Sequence, residues 1–424
     1  MLEPYRLETL PLEAHDDDPR WALYLDLFAN AFLDKRPSAE SVVEFRNSKR
    51  ADGATLGMVT AEGPGLDGRQ PVAGFSWAPM TLNAGAGIVP AMVVNTAAVR
   101  STHRRRGLLR ELMTHHLALG RAQGNAYAVL TASEATIYGR FGFGVATRYV
   151  DWEIDTRRFA LRPDVTVADG VVEVVDPASI TSCFEQISNA FQRSYRGACG
   201  PQSMHRRFAE GGWDIFLQGP AQGLRYLVHF NALGEPDGFA QFEHKGLEDD
   251  APPAPSRVIA VCSPDPAIDR ALWRALASFD IVERLSYGAA AVDDPLPWCL
   301  TDPWAINIKA VHDGVWLRLL DLEKAVAERG FESDGEITMR VDDAMGLCSG
   351  TWRIRVDAGR GTVARDDGEA EVALDISALA RLWFGDVTAS QLARAELIKG
   401  EASAVRRMSR LFATERGPNN LVPF

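Results

Sequence analysis

The sequence has little that would place the protein in a membrane, on a metal ion or on nucleic acid. It contains no run of about 18 uncharged apolar residues, and its first residues lack the basic stretch and apolar core of a secretory signal. Its five cysteines are scattered and odd in number, which predicts neither a zinc site nor a disulfide framework. A formal net charge of -12 disfavours nucleic acid and favours a cationic small molecule or a basic peptide. We expect a cytoplasmic protein with reduced, mostly structural cysteines, no metal and no membrane partner.

Length and composition instead predict a large packed protein. The chain has 424 residues, more than one ordinary hydrophobic core holds, and 46% of them are hydrophobic. The length predicts roughly two to four domains. Candidate boundaries lie near Asp155 and at the Pro-rich and acidic stretch 293–297.

Residues 91–124 combine a strand, a basic turn and a helix. The largely apolar, β-branched residues 91–99 are too few for most helices, so they predict a buried strand. Three arginines and Gly107 follow. Apolar residues then recur at helical spacing until Gly124, at Leu108, Leu109, Leu112, Met113 and Leu117. A helix is therefore expected to begin directly after Gly107.

That helix start has a chemical interpretation. The first backbone N–H groups of a helix have no partner inside it, and the helix dipole adds partial positive charge, so a diphosphate fits there if no side chain blocks it. Gly107 removes the obstruction, and Arg104, Arg105 and Arg106 add positive charge. A solvated turn or a small nucleic-acid patch is the alternative for such a basic run.

Two motifs in this region carry a resemblance to a known family. Arg104, Gly107 and Leu109 follow the Arg/Gln-x-x-Gly-x-Gly/Ala pattern with which GNAT-superfamily N-acetyltransferases hold the pyrophosphate of acetyl-CoA, although Leu109 departs from the usual small residue. More specific is Ile-Tyr-Gly-Arg-Phe-Gly at residues 137–142. With His-Arg-Arg-Arg-Gly-Leu-Leu at residues 103–109, the sequence resembles the Eis (enhanced intracellular survival) acetyltransferases over its full length.

This resemblance implies an α/β (α+β) fold with two tandem GNAT-like domains, the second degenerate, followed by a sterol-carrier-protein-like α+β domain. The expected acetyl-CoA-binding catalytic domain spans residues 1–155. A second GNAT-like domain without a CoA turn is expected at residues 156–297. The third domain, at residues 298–424, is expected to bring its C-terminus to the active site.

The second region repeats the element order of the first, which by itself suggests an internal duplicate. Its predicted elements include a strand at Ile215–Leu217 and an exposed hairpin loop at residues 249–253. Where a phosphate turn is needed, the chain has Ser263-Pro264-Asp265-Pro266, whose missing proline N–H groups and negative charge oppose a diphosphate. We expect one CoA site per chain.

The resemblance also assigns cofactor contacts. Backbone N–H groups of Ala97, Ala98 and Val99, at the end of the predicted strand, are candidates to polarise the thioester carbonyl. The candidates for holding the diphosphate are Arg105, Arg106, Gly107, Leu108, Leu109 and Arg110. Ser133 and Glu134 lie where the family contacts the cofactor, while Ser133 is also suited to be a helix N-cap.

The catalytic residues implied by the family are a tyrosine and a terminal carboxylate. Tyr138 is the expected general acid; in an arbitrary sequence it would be read as a core aromatic. Phe424, the last residue of the sequence, is the expected general base through its α-carboxylate, as in the Eis family. The ordinary alternative for a chain end is a frayed tail. Asp34, near the end of an early helix, is a candidate contact for a cationic amine, with a solvated helix end as its alternative.

We expect an acetyl-CoA-dependent N-acetyltransferase that acts on cationic multi-amine compounds such as aminoglycosides. A protein lysine acetyltransferase is the alternative among enzymes. Among binding proteins, the alternative is a carrier of lipid or another apolar ligand in the third domain, where ordinary core packing explains the same pattern. The Eis resemblance further implies a homohexamer.

Overall fold

The structure is a computed structural model that describes residues 5–214, 218–221, 223–244 and 255–423. The predicted strand at Ile215–Leu217, the predicted loop at residues 249–253 and Phe424 lie outside the described residues. In the described residues no helix has the length and apolar character to cross a bilayer. All five cysteines are buried and free, as expected.

The first unit, residues 5–155, begins with a strand and two helices and continues into a mixed sheet. Its elements are β1 (Tyr5–Leu10), α1 (Pro19–Phe32), α2 (Ala39–Ala51), β2 (Thr55–Gly63), β3 (Leu66–Asn83), β4 (Ile88–Val99), α3 (Leu108–Ala122), β5 (Tyr127–Leu130), α4 (Ala135–Tyr138), β6 (Gly144–Val145) and β7 (Arg148–Asp155). Local chemistry fixes the helix starts. Asp18 caps α1 by accepting the N–H of Arg20, and Ser38 caps α2 by accepting the N–H of Ser41.

The remaining elements form a second and a third unit. The second contains β8 (Val171–Val175), α5 (Pro177–Ser194), α6 (Ser203–Ala209), β9 (Leu224–Phe230), β10 (Pro236–Glu243), β11 (Ser256–Cys262), α7 (Pro266–Leu276), β12 (Arg284–Ala291), α8 (Leu296–Cys299) and β13 (Ile306–Asp313). After β14 (Trp316–Leu319), the third contains α9 (Leu322–Arg329), β15 (Gly335–Asp342), β16 (Gly350–Asp357), β17 (Arg360–Arg365), β18 (Val372–Asp375), α10 (Ile376–Leu382), α11 (Ala389–Arg394), β19 (Ile398–Gly400) and α12 (Ala402–Phe412).

The first two sheets exchange strands. The first sheet has the order β1-β2-β3-β4-β5-β14-β6, so a strand from beyond the second unit lies between β5 and β6. The second has the order β13-β7-β12-β11-β10-β9-β8, so β7 from the first part of the chain pairs antiparallel with both β12 and β13. The third sheet has the order β17-β16-β15-β18-β19. The sheets therefore cross the ranges expected for the first and second domains.

One hydrophobic core joins the first and third units. It includes Trp21 and Leu27 of α1, Tyr127 of β5, and Trp383 and Phe412 of the third unit, all buried. A separate cluster on the other face of the first sheet holds α3. Because the first and third units share a core, the position of the third unit relative to the first sheet is fixed by packing.

Candidate active site

The turn before α3 presents open backbone N–H groups. Gly107 is the N-cap of α3 with φ +82°, and no side chain in the described part of the chain caps this helix. A Cβ placed on Gly107 would meet no described atom within 4 Å. Arg105 also has positive φ, at +64°. The predicted helix start is confirmed, and the geometry suits an anion at the helix N-terminus.

The side chains of this turn divide between the core and the surface. Leu108 is buried, and Leu109 packs partly against the same apolar cluster. Arg105 and Arg110 are exposed. Arg106 donates hydrogen bonds to the Tyr5 hydroxyl and to a carbonyl in the turn, so its guanidinium is tied to β1. Positive charge therefore comes from the exposed arginines, while the leucines contribute only their backbone.

Strands β4 and β5 separate directly beside this turn. They pair in parallel only at Met92 with Ala128 and at Val93 with Val129, although β4 continues to Val99. The pairing of β4 with β3 shifts register, and Thr96 has φ +45°, which is strained for a β-branched residue. The residues after the separation, Asn95 to Ala97, are half-exposed. Beyond Val93 the backbone of β4 therefore has no β5 partner among the described residues, and its groups on that side are available to an extended ligand.

Tyr138 lies at the end of the α4 turn with its ring in the apolar cluster that also holds Leu108. It is 7% exposed, and its ring packs edge-on against Phe143 with centroids 6.2 Å apart. Burial raises the pKa of Tyr138, and a hydrogen bond with the Ser133 side chain acts in the opposite direction. Tyr138 is therefore protonated at neutral pH. Glu134, not Ser133, is the N-cap residue of α4. Both are exposed.

The face of β4 opposite α3 carries a polar cluster beneath α2. The Lys49 ammonium donates to Asn95 Oδ1 at 3.2 Å, and Ser76 Oγ donates to the same oxygen at 3.0 Å. Lys49 is 7% exposed, and burial lowers its pKa to about 8, opposed by the Asp52 carboxylate. The sequence does not reveal this residue, because a lysine in the last turn of a helix is usually solvated. Asp34 is exposed just beyond α1, where its role as an amine contact stays a prediction.

Removing the charge of Lys49 should stabilise the fold at neutral pH. Below pH 8 the lysine is charged in both states, so the folded state bears the full cost of burying the ammonium. As pH rises from about 8 towards the unfolded pKa of about 10.4, the folded chain loses this proton first and the cost disappears. Lys49→Met is expected to raise the melting temperature at pH 7 and to raise it less at pH 10.

The size of this effect follows from the pKa shift, which corresponds to about 3 kcal/mol before the loss of the bond to Asn95 is subtracted. Thermal unfolding of Lys49→Met at both pH values measures it. The same substitution at exposed Lys399 is the matched control and should show no such pH dependence. A Lys49→Met chain that is less stable than the parent at pH 7 would contradict a net cost of burying the Lys49 ammonium.

The C-terminal segment is docked and leads towards this cluster. Asn419 donates its N–H to the carbonyl of Arg196 at 3.1 Å, and Asn420 Oδ1 accepts the N–H of Cys199 at 2.9 Å. His205 Nδ1 accepts the N–H of Gln202, so its Nε2–H is left to donate to the carbonyl of Pro423. The Gln202 side chain in turn lies 3.5 Å from the amide of Asn95. Residues 419–423 are not frayed; Phe424 is outside the described residues.

In the second unit the helix start that corresponds to this turn is occupied by the chain itself. Asp265 is the N-cap of α7, and its carboxylate accepts the N–H of Ala267 at 2.8 Å. Pro266, the first helical residue, has no N–H to offer. A carboxylate thus takes the position that a phosphate would need.

Matches to known protein families agree with this architecture. Residues 17–146 and 206–319 each match an Acetyltransferase (GNAT) domain family, and residues 322–419 match the Sterol carrier protein domain family. These matches confirm the predicted fold class of two GNAT domains followed by a sterol-carrier-like domain.

Relatives cover nearly the whole chain. The chain is 31% identical over 404 residues to a protein named Uncharacterized N-acetyltransferase from Streptomyces avermitilis, covering 93% of this chain and 92% of the relative. It is 30% identical over 384 residues to N-acetyltransferase Eis of Mycobacterium tuberculosis, covering 89% and 90%.

Two solved structures have the same fold. The crystal structure of Eis1 from Mycobacterium abscessus superimposes with a TM-score of 0.80 at 25% identity, covering 99% of this chain and 100% of that one. A GCN5-related N-acetyltransferase from Anabaena variabilis has a TM-score of 0.80 at 17% identity, covering 99% and 100%, which shows the shared fold alone.

Proposed function

Because the chain belongs to the Eis family of N-acetyltransferases, we propose that it transfers the acetyl group of acetyl-CoA to amines of multi-amine compounds such as aminoglycosides. One juxtaposition carries the proposal: the open helix start at Gly107 lies beside the separation of β4 and β5. The first feature suits a diphosphate and the second an extended pantetheine arm that ends in a thioester.

In this proposal acetyl-CoA is a co-substrate that is bound mainly by backbone N–H groups. The diphosphate contacts the N–H groups from Gly107 to Arg110, with Arg105 and Arg110 supplying charge. The thioester carbonyl accepts from the N–H groups of Ala97 to Val99 at the bulge of β4. Donors fixed in this way stabilise the oxyanion of the tetrahedral intermediate without reorganisation.

The reaction needs a neutral amine and a proton for the departing sulfur. The amine nitrogen bonds to the carbonyl carbon, the C–S bond breaks, the base takes the amine proton, and Tyr138 donates to the thiolate. Proton transfer from a tyrosine of pKa about 10 to the thiolate of a thiol of pKa about 8.5 is unfavourable by about 2 kcal/mol. Burial raises the pKa of Tyr138 and makes it a weaker acid still. A hydrogen bond that strengthens as thiolate charge develops is therefore its main contribution.

For the base, we propose the carboxylate that Phe424 carries when it ends the chain. The docking of residues 419–423 supports this, because Pro423 contacts His205, and His205 also binds Gln202, whose side chain reaches Asn95 on the face of β4 opposite the CoA turn. An amine that attacks the acetyl group must arrive from that face. Burial or a bridging water would have to compensate for the low pKa of an α-carboxyl, about 3.5.

Tyr138→Phe should separate catalysis from binding. The substitution deletes only the hydroxyl, so the fold and the affinity for acetyl-CoA are expected to stay at parent values while kcat falls by roughly 100- to 10,000-fold. Steady-state kinetics and calorimetry measure the two quantities. Tyr149→Phe on β7, whose ring stacks on His312, is the matched hydroxyl deletion and should leave turnover unchanged. Undiminished kcat in Tyr138→Phe would remove the acid role.

An amine screen decides among acceptor classes. CoA thiol release is measured with aminoglycosides, simple amines and lysine peptides, and the products are weighed by mass spectrometry. More than one acetyl group per aminoglycoside molecule supports the multi-amine proposal, whereas modification of peptides alone supports the protein lysine alternative. No thiol release from any amine would overturn the proposal.

The interior of the third unit is less suited to the carrier alternative. Trp383, Phe384 and Phe412 are fully buried there, and the buried Arg329 guanidinium lies 4.7 Å from the Phe412 ring centroid. Arg329 donates to the carbonyls of Trp383 and Phe412 at 2.8 and 2.7 Å. Side chains thus fill the space that an apolar ligand would need. Stoichiometric lipid in the purified protein would favour the carrier.

We also propose that the chain assembles as a homohexamer. Trp298, Trp304 and Ile308 expose large apolar surfaces on or near the edge strand β13, which is typical of association surfaces. Light scattering of the purified chain gives the mass, and a stable monomer would contradict the assembly.

A further inference from the structure

The segment that follows Tyr138 is backed by the third unit at very short range. A Cβ on Gly142 would lie 2.6 Å from Cγ2 of Ile376, and a Cβ on Gly144 would lie 2.2 Å from the carbonyl oxygen of Ser377. Ile376 and Ser377 are the first residues of α10. Only glycine permits so close an approach, so α10 fixes the backbone of residues 142–144 directly.

The same segment also rests on a buried ion pair. Arg318 of β14 donates from Nη2 to both oxygens of Asp343, at 2.8 and 2.7 Å. The two side chains are 0% and 1% exposed. The Asp343 carboxylate also accepts the N–H groups of Met345 and Cys348, at 3.0 and 2.9 Å, which fixes it in the third unit.

The guanidinium faces the turn that carries the tyrosine. Cζ and Nε of Arg318 each lie 3.0 Å from the position of a Cβ on Gly142, and Nε and Nη1 have no partner among the described residues. Gly142 and Phe143 donate their N–H groups to the carbonyls of Gly139 and Tyr138, at 3.0 and 3.3 Å. A short chain of contacts therefore runs from Asp343 through Arg318 to the backbone of Tyr138.

Stability does not explain this arrangement. Burying two charges costs as much as or more than their attraction returns, and replacing such a pair by uncharged residues is often neutral or stabilising. Arg318 also leaves two nitrogens unsatisfied, which adds to the cost. What the pair supplies is a rigid, planar group behind Gly142 at a defined distance.

We propose that Arg318, held by Asp343, is a positioning residue that fixes the turn from Gly139 to Phe143 and thereby aims the Tyr138 hydroxyl. The sterol-carrier-like unit then serves catalysis as the support of the general acid. This inference rests on the proposed acid role of Tyr138. It deepens that proposal, because it makes the reaction in the first unit depend on a carboxylate of the third.

The test removes both charges of the Arg318–Asp343 ion pair, in the parent chain and in the Tyr138→Phe variant. Either single substitution leaves an unpaired buried charge, so the main variant is Arg318→Met with Asp343→Asn, which removes both charges. Each oxygen of Asp343 accepts one backbone N–H and an amide keeps only one of these acceptors, so we expect a folded chain with a modestly lower melting temperature. We also expect an unchanged Kd for acetyl-CoA and a kcat at least about 10-fold lower. In the Tyr138→Phe background the same double substitution should cause no further loss, because residues that act through one group are not additive.

Two further variants make the test robust. Arg318→Lys keeps a cation for Asp343 but lacks the planar guanidinium, so it should fold and lose kcat in the same non-additive way. Arg148→Met with Asp386→Asn removes another ion pair between the first and third units, at 2.6 Å, and should leave kcat unchanged.

The outcomes are distinguishable. Equal additional losses of kcat with and without the Tyr138 hydroxyl, or unchanged kcat in both Arg318 variants, would overturn the positioning role alone. If Tyr138→Phe by itself costs no turnover, the acid role fails and the inference fails with it.

Discussion

An aspartate in place of Gly107 is expected to abolish acetyl-CoA binding without unfolding the chain. The new carboxylate would accept the free N–H groups at the start of α3, as Asp265 does at the start of α7, and would repel the diphosphate. Two like charges about 4 Å apart repel by about 4 kcal/mol at an effective dielectric of 20. That energy weakens affinity by roughly 1,000-fold.

The fold should tolerate this change. A Cβ at Gly107 meets no described atom within 4 Å, and aspartate is among the residues that adopt positive φ most readily. Calorimetry gives the affinity and thermal unfolding the stability. Gly107→Asn is the matched control, because it has the same shape and conformational preference without the charge, and it should retain much more of the affinity. Unchanged affinity in Gly107→Asp would show that the diphosphate does not lie at this turn.

One glycine added after Phe424 is expected to reduce turnover by roughly 100-fold or more. The addition moves the terminal carboxylate by up to about 3.6 Å, beyond hydrogen-bond reach of the acceptor amine. The contacts of residues 419–423 are retained, so melting temperature and acetyl-CoA affinity should match those of the chain that ends at Phe424.

Steady-state kinetics compares the two chains, both without a C-terminal purification tag. A chain with the glycine added at the N-terminus is the control for the extra residue. Full activity of the C-terminally extended chain would exclude the terminal carboxylate and return the search for a base to Asp34, Glu134 or an ordered water.

Features set by local chemistry could be predicted from the sequence. Apolar residues at helical spacing follow Gly107, so the start of α3 was predictable, and the structure confirms it. The Pro264-Asp265-Pro266 stretch likewise indicated a helix start without free N–H groups, and the structure has Asp265 capping α7. The motif around Tyr138 indicated the family, and the comparisons with known proteins confirm both the fold class and the enzyme class.

Features that depend on distant pairing were not predictable. The apolar periodicity of residues 316–319 indicates a strand but not its neighbours, because the pairing partner lies some 190 residues earlier in the chain. Burial of Lys49 and the link between Arg318 and Asp343 arise from the same non-local packing. The roles of the cofactor contacts, of Tyr138 and of Phe424 stay predictions until the variants are measured.

The exchange of strands also constrains how the protein is made. During synthesis β5 emerges from the ribosome long before β14, its neighbour in the sheet. Until β14 ends at Leu319, the nascent chain has an unfilled slot between β5 and β6. β7 likewise lacks both of its partners until β12 and then β13 have been made, so its backbone groups are open to wrong partners in the meantime. The first unit therefore cannot complete its sheet before most of the chain has been made, and the first two sheets both close late in translation.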